Sequence, residues 1–281
     1  FAMLQKEFPQ LECLGLGGFS PSYSRSGNMI LDLFLQLPAF IFSIISEHYK
    51  LRKLIEGRSF SVIISDNRYG LWNKKIKSVI ITHQVMIKTP GWLRFAEYPV
   101  YRISRLMISR FDECWIPDTS VAPGLSGDLS HKYPLPANAK FIGLLSRFEH
   151  DKNGKMSTLP YGGIVAVISG PEPQRSVFEE IVISQLTGLN QPATILRGKP
   201  ETEQVIERKG KLTLISHANT DETKSIIDAS SVVICRSGYS SAMDLAVLKA
   251  RVLFVPTPGQ TEQLYLAELY KSTGRIFSHP Q

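Results

Sequence analysis

Short apolar runs rich in β-branched residues recur along the chain, and each turns abruptly polar, as a buried parallel strand does where it meets its loop. Residues 60–65 form one such run, ending in Asp66-Asn67-Arg68-Tyr69-Gly70, and residues 78–82 form the next, ending in His83-Gln84. Residues 113–117 and 141–145 read as two further strands, with a loop rich in Pro, Gly and Ser at 119–136 between them. The second half repeats the pattern at 163–168, 193–196, 212–215, 231–235 and 252–255, with a strand-like segment at 275–277. Between these runs the apolar spacing is helical, near 174–186 and at 241–249, where Ala242, Leu245, Ala246 and Leu248 can face a sheet. Asn219 to Glu222 has the spacing of a helix cap. Alternating strands and helices predict an α/β protein with doubly wound parallel sheets.

The predicted division is a first domain at 1–148, a linker at 149–161 carrying charges, Gly154 and Pro160, and a second domain at 162–281. Residues 11–18 read as a short strand ending in Gly15, Gly17 and Gly18, without a complete G-x-G-x-x-G. Residues 29–45 are the most apolar part of the chain and lie within a helix expected to continue to about Glu56. Gln36 interrupts this stretch, so it is too short to span a bilayer. A core helix and an amphipathic membrane surface remain the competing readings. Residues 92–111 mix Trp92, Phe95, Tyr98 and Leu106 with Arg94, Arg102, Arg105 and Arg110, a pattern that fits a solvated face with snorkelling arginines or an anionic lipid surface.

Two strand ends in the second half carry the most specific chemistry. Strand 231–235 opens into Arg236-Ser237-Gly238, and strand 252–255 opens into Pro256-Thr257-Pro258-Gly259-Gln260. Right-handed crossovers place both loops on the carboxyl edge of one sheet, where open α/β sheets bind ligands. A helix starting near Ser240 presents free N–H groups, Gly238 admits close approach, Ser237, Ser240 and Ser241 add hydroxyls and Arg236 adds charge, a set suited to a diphosphate. The plainer alternative is a serine cap and a turning glycine. In the first half, Asp66 and His83 fall on one sheet edge. His83 suits a general base for a hydroxyl acceptor, the alternative being a turn cap and a structural hydrogen bond.

The chain has 281 residues and a formal net charge of +7, which favours anionic partners such as nucleotide sugars or anionic lipid; no recognised nucleic-acid module is present. Cys13, Cys114 and Cys235 are scattered without metal spacing, which points to reduced thiols, a cytoplasmic protein and no metal site. No Asp-x-Asp occurs in the sequence, so no Mg²⁺-diphosphate motif is present and no cofactor is expected.

Ser230-Ser231-Val232-Val233-Ile234-Cys235-Arg236-Ser237-Gly238, with Asp244 and Gln263, resembles the donor-binding half of GT-B nucleotide-sugar glycosyltransferases, most closely the MurG type with its family 28 C-terminal domain. The resemblance implies two Rossmann-like domains facing a cleft, with the opening strand and glycine-rich loop of the first not matched here. It implies inverting transfer of a sugar from a UDP-sugar or other nucleotide-sugar to an acceptor hydroxyl, lipid-linked or part of a cell-envelope glycan, and the missing Asp-x-Asp leaves the departing UDP to helix N-termini and cations without metal. It assigns the ribose to Asp244, the diphosphate to Ser237 and Gly238, and the sugar to Gln263 in the loop with Gly259 and Gln260. It adds phosphate contacts from Ser169, Gly170 and Arg175, and base contacts from Ser216 and His217. Such an enzyme would be peripheral on the inner face of the cytoplasmic membrane. A nucleotide-sugar epimerase of the same architecture and a catalytically silent binding or partner-docking subunit are the alternatives.

Overall fold

The computed structural model describes residues 5, 8–18, 29–148, 163–199, 203–272 and 276–281. The chain divides into two compact units, with a boundary between Leu145 and Ser146 and with the residues up to Leu14 grouped with the second unit. The predicted linker, 149–161, lies outside the described residues.

The first unit opens with a long helix, α1 (Met29–Ile55), which runs through Pro38. Strands β1 (Val62–Asp66) and β2 (Lys77–Ile81) follow, then a 3₁₀ turn (Gly91–Ala96) leading into α2 (Glu97–Ile108). Strand β3 (Glu113–Ile116), the short helix α3 (Asp128–His131) and β4 (Ala139–Phe141) complete it. All four strands are parallel, in the order β1-β2-β3-β4. Helix α2 buries Glu97, Tyr101, Ser104 and Ile108, a stripe at i, i+4, i+7 and i+11 that turns one face inward. Tyr101 and Ile108 join Ile80, Met86, Phe111 and Ile116 in the core. Each such side chain contributes roughly 1.5–3 kcal/mol by leaving water.

Three expectations for the first half of the chain need correction. Residues 11–18 form no strand: Leu11 and Leu14 are exposed, so the run has no buried face to hold it. The strand expected at 141–145 occupies Ala139–Phe141, and the backbone leaves the sheet at Gly143, whose φ is +80°. The loop at 119–136 contains α3.

The second unit begins with β5 (Ile164–Val167) and α4 (Gln174–Gly188), whose Phe178, Val182 and Leu186 face the sheet. Strand β6 (Ala193–Leu196) is followed by β7 (Ile206–Lys209) and β8 (Leu212–Ile215). Helix α5 (Thr220–Asp228) starts on a complete capping box, Asn219 with Glu222, as its sequence predicts. Strand β9 (Val232–Cys235), α6 (Tyr239–Val247), β10 (Val252–Phe254), α7 (Thr261–Lys271) and β11 (Ile276–Ser278) end the unit.

Its sheet has the order β11-β10-β9-β5-β6-β8-β7, parallel throughout except for β7, which pairs antiparallel with β8 and is exposed at all four positions. Counted from β8 to β11 without that edge strand, the parallel order is the doubly wound 3-2-1-4-5-6. The chain therefore reverses its winding between β5 and β9, and the loops after these two neighbours diverge to opposite faces.

Candidate functional site

The carboxyl edge of the second sheet gathers the loops that follow β5, β9 and β10, three strands bonded side by side. Ser169 and Gly170 follow β5, Arg236 to Gly238 follow β9, and Pro256 to Gln260 follow β10. The structure thus brings the predicted glycine-serine loop and proline-glycine loop side by side, next to the switch point between β5 and β9, where a crevice opens in folds of this order.

Helix α6 starts at this edge. Gly238 is its N-cap, in extended conformation and without a side-chain cap, so the first-turn amides are not capped by a side chain. A Cβ added at Gly238 or at Gly170 would meet no atom within 4 Å. Both glycines therefore border open space, and Gly170, at φ +111°, also needs glycine for its backbone. Ser240 is exposed and Ser241 and Ser169 are half-buried. The N-cap of α7, Gln260, likewise makes no side-chain cap, and Gly259 before it turns at φ +79°.

The remaining predicted residues in these loops point inward and hold the loops to one another. Ser237 Oγ donates to the Gln263 carbonyl (2.8 Å), and Gln263 Oε1 accepts from the Thr257 amide (2.9 Å). Ser237 and Gln263 are both buried, so they brace the two loops and do not line their surface. Arg236 is 2% exposed. Its guanidinium donates to the Val255 and Pro256 carbonyls (3.1 and 3.2 Å) and to the Gln174 carbonyl (3.2 Å), and lies 4.1 Å above the Phe178 ring. Burial pulls its pKa down to about 10, still far above neutrality. Arg236, expected to add positive charge to this loop, lies beneath the loops, where the carbonyls of three residues hold it.

Arg175 is similarly committed, to the Arg197 carbonyl (3.0 Å) and to Glu172. Burial would raise the Glu172 pKa, but hydrogen bonds from Ser176 and Arg175 outweigh it and hold the carboxyl below its usual range. Ser216 Oγ accepts from the Val205 amide (2.8 Å), while the Ser216 and His217 carbonyls accept from the Lys199 amide (2.7 Å) and Gln204 Nε2 (2.8 Å). The backbone assigned to a base by resemblance is thus already bonded within the unit at those two carbonyls. Asp244 faces the start of the unit: Ser146 Oγ donates to its Oδ1 (2.6 Å), the Arg147 amide to the same oxygen (3.3 Å) and Arg147 Nε to Oδ2 (3.1 Å).

In the first unit, β1 and β2 run parallel with Asp66 beside Ile81, which puts Asp66 and His83 on one carboxyl edge. Asp66 is exposed and His83 half-buried. Sequence reasoning gave no role to Asp118 on the same edge, yet it organises the loop after β3. Fully buried, its carboxylate accepts from the Thr119, Leu125 and Ser126 amides (2.7, 2.9 and 2.8 Å) and from Ser126 Oγ. His131 Nε2 lies 3.5 Å from it. The signal was an aspartate at a strand end ahead of a Pro-Gly-Ser loop. A cavity of about 620 Å³ lined by His48, Arg52, Trp72 and Lys74 lies at the amino end of β2, away from the carboxyl edge of that sheet. Among the described residues no group of three or more His, Cys, Asp or Glu is placed to hold a metal ion.

Comparison with known proteins agrees with this architecture. Residues 174–274 match the glycosyltransferase family 28 C-terminal domain. No curated protein matches the chain. Among solved structures, the chain is similar to the glycotransferase of kitacinnamycin (TM-score 0.58, 12% identity, covering 94% of this chain and 73% of that one). It is similar to the spinosyn rhamnosyltransferase SpnG complexed with thymidine diphosphate (TM-score 0.55, 14% identity, 89% and 68%). It is also similar to the glycosyltransferase SnogD from Streptomyces nogalater (TM-score 0.53, 7% identity, 92% and 68%). The chain has the GT-B fold, with two Rossmann-like units. By that fold and by the matched domain it is classed with the GT-B glycosyltransferases, and its second unit carries the family 28 C-terminal domain.

Proposed function

We propose that the chain transfers a sugar from a UDP-sugar to an acceptor hydroxyl, with the donor's diphosphate at the β5–β9 switch point. One observation carries this reading: two neighbouring loops expose glycines to open space beside an α6 N-terminus with no side-chain cap, above a buried arginine held by the carbonyls of Val255, Pro256 and Gln174. A diphosphate would bring negative charge and acceptor oxygens to that helix start, where the dipole favours an anion. SpnG, which shares the fold, is a structure complexed with thymidine diphosphate, and this supports a nucleotide diphosphate as the ligand here.

Helix N-termini and the buried Arg236 would stabilise the departing diphosphate without a metal. Asp66 and His83 would lie on the acceptor side, His83 as the general base. Incubation with a panel of UDP-sugars and candidate acceptors tests this, and activity should survive excess EDTA. Complete loss on chelation would remove the metal-free mechanism, and turnover of the sugar nucleotide without any acceptor would favour an epimerase.

A lipid-linked acceptor is supported by an exposed surface on α2 and the turn before it. Trp92, Phe95, Ile103 and Leu106 are 70%, 77%, 58% and 64% exposed, beside the exposed Arg94, Arg102 and Arg105. Apolar side chains this open, rimmed by cations, suit the interface of an anionic membrane. No described helix is long and apolar enough to cross one. A second reading, a silent nucleotide-sugar-binding subunit, is favoured by the internal bonding of Arg175, Asp244 and the Ser216 and His217 carbonyls. UDP binding without turnover of any UDP-sugar would establish it.

A further inference from the structure

The carboxylate of Asp244 is already occupied. Ser146 Oγ, the Arg147 amide and Arg147 Nε supply it with three donors at 2.6, 3.3 and 3.1 Å. Ser146 Oγ also accepts from the Phe148 amide (3.0 Å), and the Arg147 guanidinium lies 4.8 Å from the Phe148 ring, so the three residues form a compact turn over α6. The Asp244 side chain is 16% exposed and that of Arg147 45%, which leaves the turn accessible and the carboxylate largely covered by it.

We propose that Ser146 and Arg147 set the affinity of the nucleotide site by competing with the ligand's ribose for Asp244. This rests on the reading of Asp244 as the ribose carboxylate. A cis-diol brings two hydroxyl donors to a carboxylate in bidentate fashion and returns two of the three hydrogen bonds that displacement of the turn removes. A 2′-deoxyribose returns one. The competing turn therefore lowers the affinity for either nucleotide, while the second hydroxyl sets the preference for the ribonucleotide. Hydrogen bonds to a charged group are strong enough that one missing hydroxyl lowers affinity about tenfold or more. The covering donors also keep the carboxylate satisfied when no nucleotide is bound.

The test uses the full chain, with UDP and 2′-deoxy-UDP titrated calorimetrically. The wild-type protein should prefer UDP about tenfold or more. Ser146→Ala, which changes no charge, should bind UDP several-fold more tightly, and Arg147→Gln should do the same. Hydrogen exchange at the Arg147 and Phe148 amides should quicken when UDP is added, a response that a purely structural turn would not give. Asp244→Asn separates the two levels of the argument. If it leaves UDP affinity and the preference over 2′-deoxy-UDP unchanged, Asp244 does not hold the ribose and the underlying reading fails. If it abolishes the preference while Ser146→Ala and Arg147→Gln bind UDP no more tightly, or more weakly, the ribose reading stands and the competition is refuted.

Discussion

Ser237 Oγ donates to the main-chain carbonyl of Gln263 across 2.8 Å, joining the loop after β9 to the first turn of α7. The Gln263 amide oxygen in turn accepts from the Thr257 N–H, so one residue anchors two loops. Gln263→Ala would leave the Thr257 amide buried and unpaired, at a cost of about 1–3 kcal/mol, whereas Ser237→Ala should cost about 1 kcal/mol. Urea unfolding measures both. UDP affinity should fall in Gln263→Ala as the proline-glycine loop loosens.

Two glycine substitutions separate folding from ligand approach. A Cβ at Gly163, where φ is +116°, would sit 2.1 Å from the Pro192 carbonyl oxygen, so Gly163→Ala should fail to accumulate as folded protein. A Cβ at Gly238 meets nothing, so Gly238→Ala should unfold within about 0.5 kcal/mol of the parent. The added methyl would occupy space assigned to the diphosphate, and UDP affinity should drop at least tenfold. Unchanged affinity would place the diphosphate elsewhere.

Alkaline pH should weaken the protein in a defined window. Burial pushes the Cys114 and Cys235 thiols up from 9.0 to about 12. Burial, with a smaller contribution from Cys114, pushes the Tyr69 phenol up from 10.0 to about 12, although a hydrogen bond with Thr82 opposes the rise. These acids keep their protons in the folded chain while the unfolded chain releases them, so stability is fully present below the unfolded values and is lost as pH rises through them. From pH 9 towards pH 12 each thiol should remove up to about 1.4 kcal/mol per pH unit. Urea midpoints at pH 7, 8, 9 and 10 should stay level to pH 8 and then fall. Iodoacetamide at pH 8 should modify the half-buried Cys13 ahead of the two buried thiols.

The surface on α2 yields a membrane prediction. The protein should co-sediment with phosphatidylglycerol vesicles, less with phosphatidylcholine, and less again as salt rises. Replacing Trp92 and Phe95, both more than two-thirds exposed, with serine should abolish sedimentation without lowering stability. Absence of binding at every salt concentration would remove the membrane proposal.

How much of this was legible depended on burial. Strands β6 and β8 match their predicted ranges because residues 193–196 and 212–215 are apolar or β-branched throughout, and all but Thr213 are buried. Strand β7, Ile-Glu-Arg-Lys, carries no such pattern and pairs with β8 at the sheet edge, so nothing in its own residues announced it. The loops of the candidate site were visible in Gly238, Ser240 and the Pro256 to Gly259 turn. The directions of Arg236, Arg175 and Asp244 were not, because each is fixed by partners distant in sequence: Val255, Arg197 and Arg147. Chemical type told which side chains can meet an anion. Which of them are already engaged is decided only by packing.

The charged hairpin edge has a bearing on how the protein behaves in a crowded solution. Glu207, Arg208 and Lys209 stand along the outermost strand with every side chain in water, so a second sheet edge approaching it would have to strip solvent from three ions. That border resists pairing with other chains and keeps the seven-stranded sheet from growing beyond its own length. Substituting valine at these positions would open the way to strand-by-strand aggregation while leaving the loops after β5 and β9, several strands away, as they are.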